Sequence, residues 1–288
     1  MARRLNIKAL LGKYGLKPKS SWSQNFLVDE DVMEAIVDSA SIRPDQSVIE
    51  LGSGLGALTA MLAHRAKRVI AVEKDRDLLG LLRQEFAGDA QVEIMDANAA
   101  KLDYAALAER LGSPPVVVGN LPYHMATPIL FHLLEAKHLV SHWVFMVQKE
   151  MADRMLSPPG SRDYGVVSIL LQRDLVMERL VEAPPEAFFP SPKVHSTVVG
   201  FWPSDQPRLP VKDERMFQRV VRGSFGQRRK KLRNSLIAAF GATHDKEHID
   251  QCLSRAEVDP NTRPEQLSLE QFIRLADAFS QDSQRGAG

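Results

Sequence analysis

The chain has 288 residues, 44% hydrophobic and 25% charged, enough apolar material for one large domain with a full core and a smaller second one. Its formal net charge is only +1, no apolar run approaches the roughly 20 residues of a membrane span, and no basic-apolar-small leader opens it, so a cytoplasmic location without a membrane partner is expected. The single cysteine, Cys252, rules out an internal disulfide framework and a thiolate zinc site.

Residues 1–23 read as a basic N-terminal arm, with Arg3, Arg4, Lys8, Lys13, Lys17 and Lys19 and no acid in the first twenty positions. Strand and helix patterns then alternate, with apolar runs near 47–51 and 69–72 and helical spacing over 58–66 and 77–86. Further strands are predicted at 92–95, 116–118 and 143–147, with helices near 104–111 and 127–135 between them. That order implies an α/β, Rossmann-like sheet, parallel and doubly wound, in a domain over 24–203. Residues 157–165 (SPPGSRDYG) form a Pro/Gly loop, and apolar runs near 175–181 and 196–202 add antiparallel edge strands.

Three prolines between Pro203 and Pro210 mark a linker at 204–211. Beyond it, 212–279 shows helical spacing, as in Leu232, Leu236, Phe240, Leu267, Phe272 and Leu275, and reads as a small C-terminal helical domain, followed by a disordered tail at 280–288. Arg228, Arg229, Lys230, Lys231 and Arg233 crowd one stretch of that domain, a run suited to RNA phosphates. His244 and His248 have i,i+4 spacing but stand among Asp245, Lys246 and Glu247, so a solvated helix face and no metal are expected.

Two short strings carry the chemistry. In IELGSGLGALT (49–59) the glycines follow an apolar strand, where a residue without Cβ lets the backbone turn sharply and approach a ligand. The spacing of Gly52, Gly54 and Gly56 is G-x-G-x-G, not the dinucleotide fingerprint that sets a helix N-terminus against a pyrophosphate. S-adenosylmethionine carries no phosphate, and its pocket needs only the close approach. Glu73, ending VIAVE, is placed to accept both ribose hydroxyls, and Asp96, ending VEIMD, to accept the adenine amine.

The second string, VVVGNLPY (116–123), ends another strand. An adenine amine is a poor nucleophile because its lone pair is delocalised into the ring. The Asn120 side-chain oxygen and the Leu121 carbonyl supply two acceptors for that amine, with Pro122 fixing φ so that the carbonyl points inward. Tyr123 stacks on the base. Flipping a base out costs a few kcal/mol and one aromatic returns about 1–3, so a second ring is expected. Phe188 is the first candidate and Phe189 the next, although spacing alone favours core packing for either.

These residues resemble the adenosylmethionine-dependent rRNA adenine N6,N6-dimethyltransferases of the bacterial small-subunit type. The resemblance runs from Gln24 to about Leu236, through QNFL (24–27), VEKD (72–75), GNLPY (119–123), QKEMADR (148–154), DYG (163–165), PPEAFFPSPKVHS (184–196) and FGQRRKKLRN (225–234). It implies dimethylation of two adjacent adenosines near the 3′ end of 16S rRNA, within a pre-30S particle; nothing in the sequence suggests an obligate dimer, so a monomer is expected. It also implies that Asn25 and Leu27 close over the cofactor, that Gly52, Glu73 and Asp96 meet its methionine, ribose and adenine portions, and that Asn120 joins cofactor to target amine. Tyr123 and Phe188 fall where the family places its stacking rings. One departure is Ser53, where the family's loop usually carries proline; a modest change in cofactor affinity is expected.

The rival within enzymes is the antibiotic-resistance relative that methylates large-subunit rRNA, against which DYG and FGQRRKK argue. DNA adenine and protein glutamine methyltransferases, with D-P-P-Y and N-P-P-Y, fit less well than N-L-P-Y. The rival from another class is a ribosome-assembly or transcription factor on the same fold. Intact Glu73, Asn120 and Tyr123 favour catalysis without excluding an assembly role.

Overall fold

The computed structural model describes residues 5–19, 22, 24–122, 125–204, 210–227 and 230–283. Tyr123, Arg228, Arg229 and most of the predicted linker lie outside them. The chain divides into two compact units, one of Met1–Ala152 with Val176–Pro203, the other of Asp153–Leu175 with Ser204–Gly288.

The first unit opens with helix α1 (Ile7–Tyr14), strand β1 (Phe26–Leu27) and α2 (Glu30–Ser39). Then come β2 (Ser47–Leu51), α3 (Ala57–Arg65), β3 (Arg68–Glu73), α4 (Arg76–Glu85) and β4 (Val92–Asp96). The alternation continues through α5 (Tyr104–Leu111), β5 (Val116–Asn120), α6 (Ala126–Glu135), β6 (His142–Gln148) and α7 (Lys149–Leu156). After α8 (Val166–Asp174), the strands β7 (Leu175–Ala183), β8 (Phe188–Phe189) and β9 (Ser196–Pro203) end the sheet-forming part. Seven strands form one sheet in the order β4-β3-β2-β5-β6-β9-β7. The first five pair in parallel and β9 runs antiparallel to β6. All five residues of β2 are buried, as a parallel strand covered on both faces requires.

Residues 5–19 of the basic arm are folded. Asn6 caps α1 by accepting the Ala9 N–H at 3.0 Å, and left-handed Gly15 ends it. Ile7, Leu10 and Leu11 have helical spacing and pack in one cluster with Leu78, Leu81, Leu82 and Phe86 of the α4 region. Two of the arm's cations are engaged inside the fold: Lys13 pairs with Glu85 at 2.6 Å, and Lys19 with Asp75 and Asp77 at 2.6 and 2.7 Å.

The second unit contains α8 with α9 (Glu214–Ser224), α10 (Leu232–Phe240), α11 (Lys246–Arg255) and α12 (Leu269–Ser283). Residues 153–175, expected within the catalytic domain, belong here because α8 is tied to α9. Arg173 pairs with Glu214 at 2.7 Å and Asp174 at 2.8 Å, and its guanidinium lies 4.8 Å from the Phe217 ring centroid. Phe217, Leu236, Phe240, Leu253, Phe272 and Phe279 fill the core. Helix α12 runs to Ser283, so the tail expected from 280 starts as helix, its apolar face already committed to that core. His244 and His248 are half-buried rather than solvated, with ring centroids 5.7 and 6.1 Å from Phe279. Among the described residues no group of three or more His, Cys, Asp and Glu side chains is set to hold a metal, and no helix is long and apolar enough to cross a membrane.

Candidate active site

Parallel strands bring their carboxyl ends to one side, and the crevice forms where the strand order reverses, between β2 and β5. Leu51 of β2 is in register with Gly119 of β5, so the next residues, Gly52 and Asn120, meet at the crevice. Gly52 (φ +75°) and Gly54 (φ +57°) are left-handed, a conformation that side chains with a Cβ disfavour. A Cβ on Gly52 would touch the Asn120 carbonyl oxygen at 3.5 Å. The loop is stitched to β3 by the Gly52 and Ser53 N–H groups, which donate to the Val72 carbonyl at 2.9 and 3.1 Å.

Glu73 ends β3 with its carboxylate already oriented. Oε2 accepts the Gly54 N–H at 2.9 Å, and Oε1 accepts those of Lys74 and Asp75 at 2.8 Å each. Three of about four lone-pair sites are thus taken, and the open one is on Oε2. Burial pushes this carboxyl above its ordinary range, against the three amides that favour the charged form.

A cavity of about 260 Å³ opens over these groups. Its floor is Leu51, Gly52, Gly54, Val72 and Glu73; Lys74 and Leu78 continue one wall, and Ala97, Asn98 and Ala99 follow β4. Asn120, Leu121, Pro122, Met125 and Ile129 form the opposite wall, and Trp22, Gln24, Asn25 and Phe26 complete the lining. Asn25, Gly52, Gly54, Glu73, Asn120, Leu121 and Pro122, expected at the site from sequence, therefore share one cavity. Asn120 Nδ2 donates to the Asn25 carbonyl at 3.4 Å, which leaves Oδ1 as the acceptor.

The other expected site residues among those described do not line the cavity. Leu27 faces the core and Phe26 faces the cavity, because successive residues of β1 point to opposite sides. Asp96 ends β4 exposed, and the lining there comes from the three residues after it. Phe188 is 4% exposed in the same core cluster as Leu27, its partner across the β1–β8 pair. Phe189 alternates outward, 36% exposed, with the Lys8 ammonium 5.4 Å from its ring centroid. In the second unit Arg233 forks onto Asp250 at 2.5 and 2.7 Å, so this guanidinium has a protein partner where an RNA phosphate was expected. Lys231 donates to Asn261 at 2.7 Å, and Lys230 is exposed.

Sequence reasoning missed Trp22, Gln24, Lys74, Asn98, Met125 and Ile129. The i,i+4 spacing of Met125 and Ile129 was an available signal for a helix face turned to the crevice. It also missed Glu50, which is 2% exposed beneath the glycine loop. Burial pushes its carboxyl up to about 7, while hydrogen bonds from the Thr59 and Ser53 hydroxyls favour the charged form and Glu73 adds to the upward push. Between pH 4.5 and about 7 the folded state holds a proton that the unfolded state has lost, so stability falls as pH rises through that window. Glu50→Gln removes that slope. Urea unfolding should show its stability gaining on the native protein by about 3 kcal/mol between roughly pH 5 and pH 8; parallel profiles would place the charge of Glu50 elsewhere.

The sequence matches the family model for ribosomal RNA adenine dimethylase over residues 15–281. It is 47% identical over 280 residues to ribosomal RNA small subunit methyltransferase A of Anaeromyxobacter sp. (strain K), covering 93% of this chain and 95% of the relative. The protein of that name from Myxococcus xanthus (strain DK1622) is 43% identical over 273 residues, covering 94% of each. Two solved structures share the fold. A dimethyladenosine transferase from Plasmodium falciparum has a TM-score of 0.75 at 23% identity, covering 90% of this chain and 98% of its own. The 23S rRNA methyltransferase ErmE has a TM-score of 0.64 at 24% identity, covering 89% of this chain and 100% of its own. With a glycine loop and an asparagine-bearing strand end meeting in one cavity, and a match over nearly its whole length, the chain belongs to the ribosomal RNA adenine dimethylase family.

Proposed function

We propose that this protein transfers methyl groups from S-adenosylmethionine to the N6 amines of two adjacent adenosines near the 3′ end of 16S rRNA, acting as a cytoplasmic monomer on a pre-30S particle. The observation that carries the reading is the meeting of Gly52 and Asn120 in a single cavity with Glu73. The lining fits the cofactor. It presents the acceptors Glu73, Asn25, Asn98 and Asn120, which suit a ribose diol and a cationic sulfonium amino acid.

When bound, S-adenosylmethionine supplies a methyl group already activated by its positive sulfur. The Oδ1 of Asn120 and the Leu121 carbonyl accept the N–H bonds of the target amine, two before the first transfer and the remaining one before the second, drawing its lone pair out of conjugation and toward the methyl carbon. With the cofactor bound, transfer would form the N–C bond as the C–S bond breaks, and the surplus proton would leave nitrogen for water. Neither acceptor is a strong base; their contribution is alignment. The Leu121 N–H donates to the Met146 carbonyl at 3.2 Å, fixing the residue whose own carbonyl, in the next peptide, does this work. Glu73 takes a ribose hydroxyl on Oε2, Asn98 serves the adenine end with Asp96, exposed two residues before it, as the second acceptor there, and Tyr123 stacks on the flipped base. Phe188 backs the site from the core side of β1.

Lys230 and Lys231, with Arg228 and Arg229, are assigned to rRNA phosphates. Replacing all four by alanine should flatten the dependence of log K on log salt by about three units; an unchanged slope would return the run to plain solvated surface. The substrate assignment is tested by methyl incorporation into small and large subunits that lack adenine dimethylation. Incorporation into small subunits is expected, and incorporation into large subunits alone would move the protein to the antibiotic-resistance type.

A further inference from the structure

Trp22 has no part in the chemistry above. Its indole is 39% exposed, an uncommon state for so large an apolar ring, yet it lines the same cavity as Glu73, Lys74 and Leu78. The ring is held in place. The Lys19 ammonium lies 5.6 Å from its centroid and is ion-paired with Asp75 and Asp77 at 2.6 and 2.7 Å. Gln24 donates to the other Asp75 oxygen at 2.8 Å, and Gln24 Oε1 accepts the Lys19 N–H at 2.9 Å. Asp75 is itself 2% exposed, a rigid anchor two residues beyond Glu73. Chain on both sides of Trp22 is therefore fastened to the loop that carries the ribose acceptor, and the indole stands over that end of the cavity.

We propose that Trp22 is a binding residue for the nucleoside half of the cofactor, its indole covering the adenosine moiety. The proposal rests on the adenosylmethionine reading above. An adenine face against an indole gains dispersion and stacking that a water-filled mouth does not provide, and covering this end narrows the route by which water reaches the cavity. The two anchors that flank the ring, Lys19 and Gln24, run to the loop after β3, and the tie to Asn120 comes from Asn25 beyond them, which is why the cofactor and not the target base is assigned to this ring.

The test uses the full chain without RNA, titrated with S-adenosylhomocysteine and with 5′-methylthioadenosine, and read by calorimetry and tryptophan emission. The chain has three tryptophans. Trp143 is fully buried and Trp202 is stacked on His142 at 6.2 Å, so a ligand-dependent change in emission reports Trp22. The native protein should bind both compounds with a saturable emission change. Trp22→Ala should bind both about tenfold more weakly with that change gone, and Trp22→Phe should keep most of the affinity. Equal affinities for the native protein and Trp22→Ala would overturn the inference, as would a loss seen with S-adenosylhomocysteine but not with 5′-methylthioadenosine. Failure of the native protein to bind either compound would instead overturn the adenosylmethionine reading.

Discussion

Asn120→Ala is expected to lower the rate of methyl transfer by at least about 100-fold while S-adenosylmethionine still binds. The size follows from what is removed. A group placed to hold a reacting atom in a dry, preorganised site is worth about 10²–10³ in kcat when deleted. In this cavity the Oδ1 of Asn120 is fixed for that purpose, because Nδ2 donates to the Asn25 carbonyl at 3.4 Å. Alanine loses both the acceptor and the link to Asn25, so cofactor affinity should fall by a few fold through the second loss. Single-turnover rates at saturating cofactor, with calorimetric binding beside them, separate the two effects. A variant with native turnover would remove Asn120 from the mechanism.

Gly119→Ala acts on the framework. Gly119 carries no unusual φ; its constraint is space. A methyl group there would lie 2.7 Å from the Leu51 carbonyl oxygen, with the Leu121 side chain at 3.2 Å. A backbone oxygen inside a parallel sheet cannot swing aside, so β2 and β5 must part. Those two strands set the approach of Gly52 to Asn120. Overpacking of this kind costs about 1–3 kcal/mol, and each kcal/mol lowers Tm by roughly 2–4 °C in a protein of this size class. A Tm lower by several degrees and a cofactor affinity reduced about tenfold are the expected readings. Gly80→Ala is the control: no atom lies within 4 Å of its Cβ position on α4, and alanine favours the helix. If Gly119→Ala behaves like Gly80→Ala, the close packing of the strand ends is not what holds the site.

The sheet was legible because buried parallel strands read as short, near-continuous apolar runs. The runs at 47–51, 69–72, 92–95, 116–118 and 143–147 lie within β2 to β6, each to within a residue or two at either end. The glycine loop and Asn120 were legible for a different reason: a left-handed glycine and a strand-ending asparagine leave marks in the residue types themselves. What stayed hidden depends on contacts between segments far apart in sequence. Strand β1 has two residues, too few to show a period, so nothing local separates cavity-facing Phe26 from core-facing Leu27. The burial of Phe188 follows from its pairing with Leu27, 161 positions earlier in the numbering. The arm's cations looked free because their partners, Glu85, Asp75 and Asp77, stand more than fifty residues downstream. Arg233 looked like part of the basic run until α11 set Asp250 opposite it.

The central claim is that this cavity couples an adenosylmethionine site to an adenine amine held by Asn120. Small subunits lacking the modification, incubated with the protein and S-adenosylmethionine, should yield N6,N6-dimethyladenosine at two adjacent positions of 16S rRNA when the digested RNA is analysed by mass spectrometry, and none with Asn120→Ala. Absence of that nucleoside with a native protein that binds the cofactor, or equal amounts from the variant, would contradict the account.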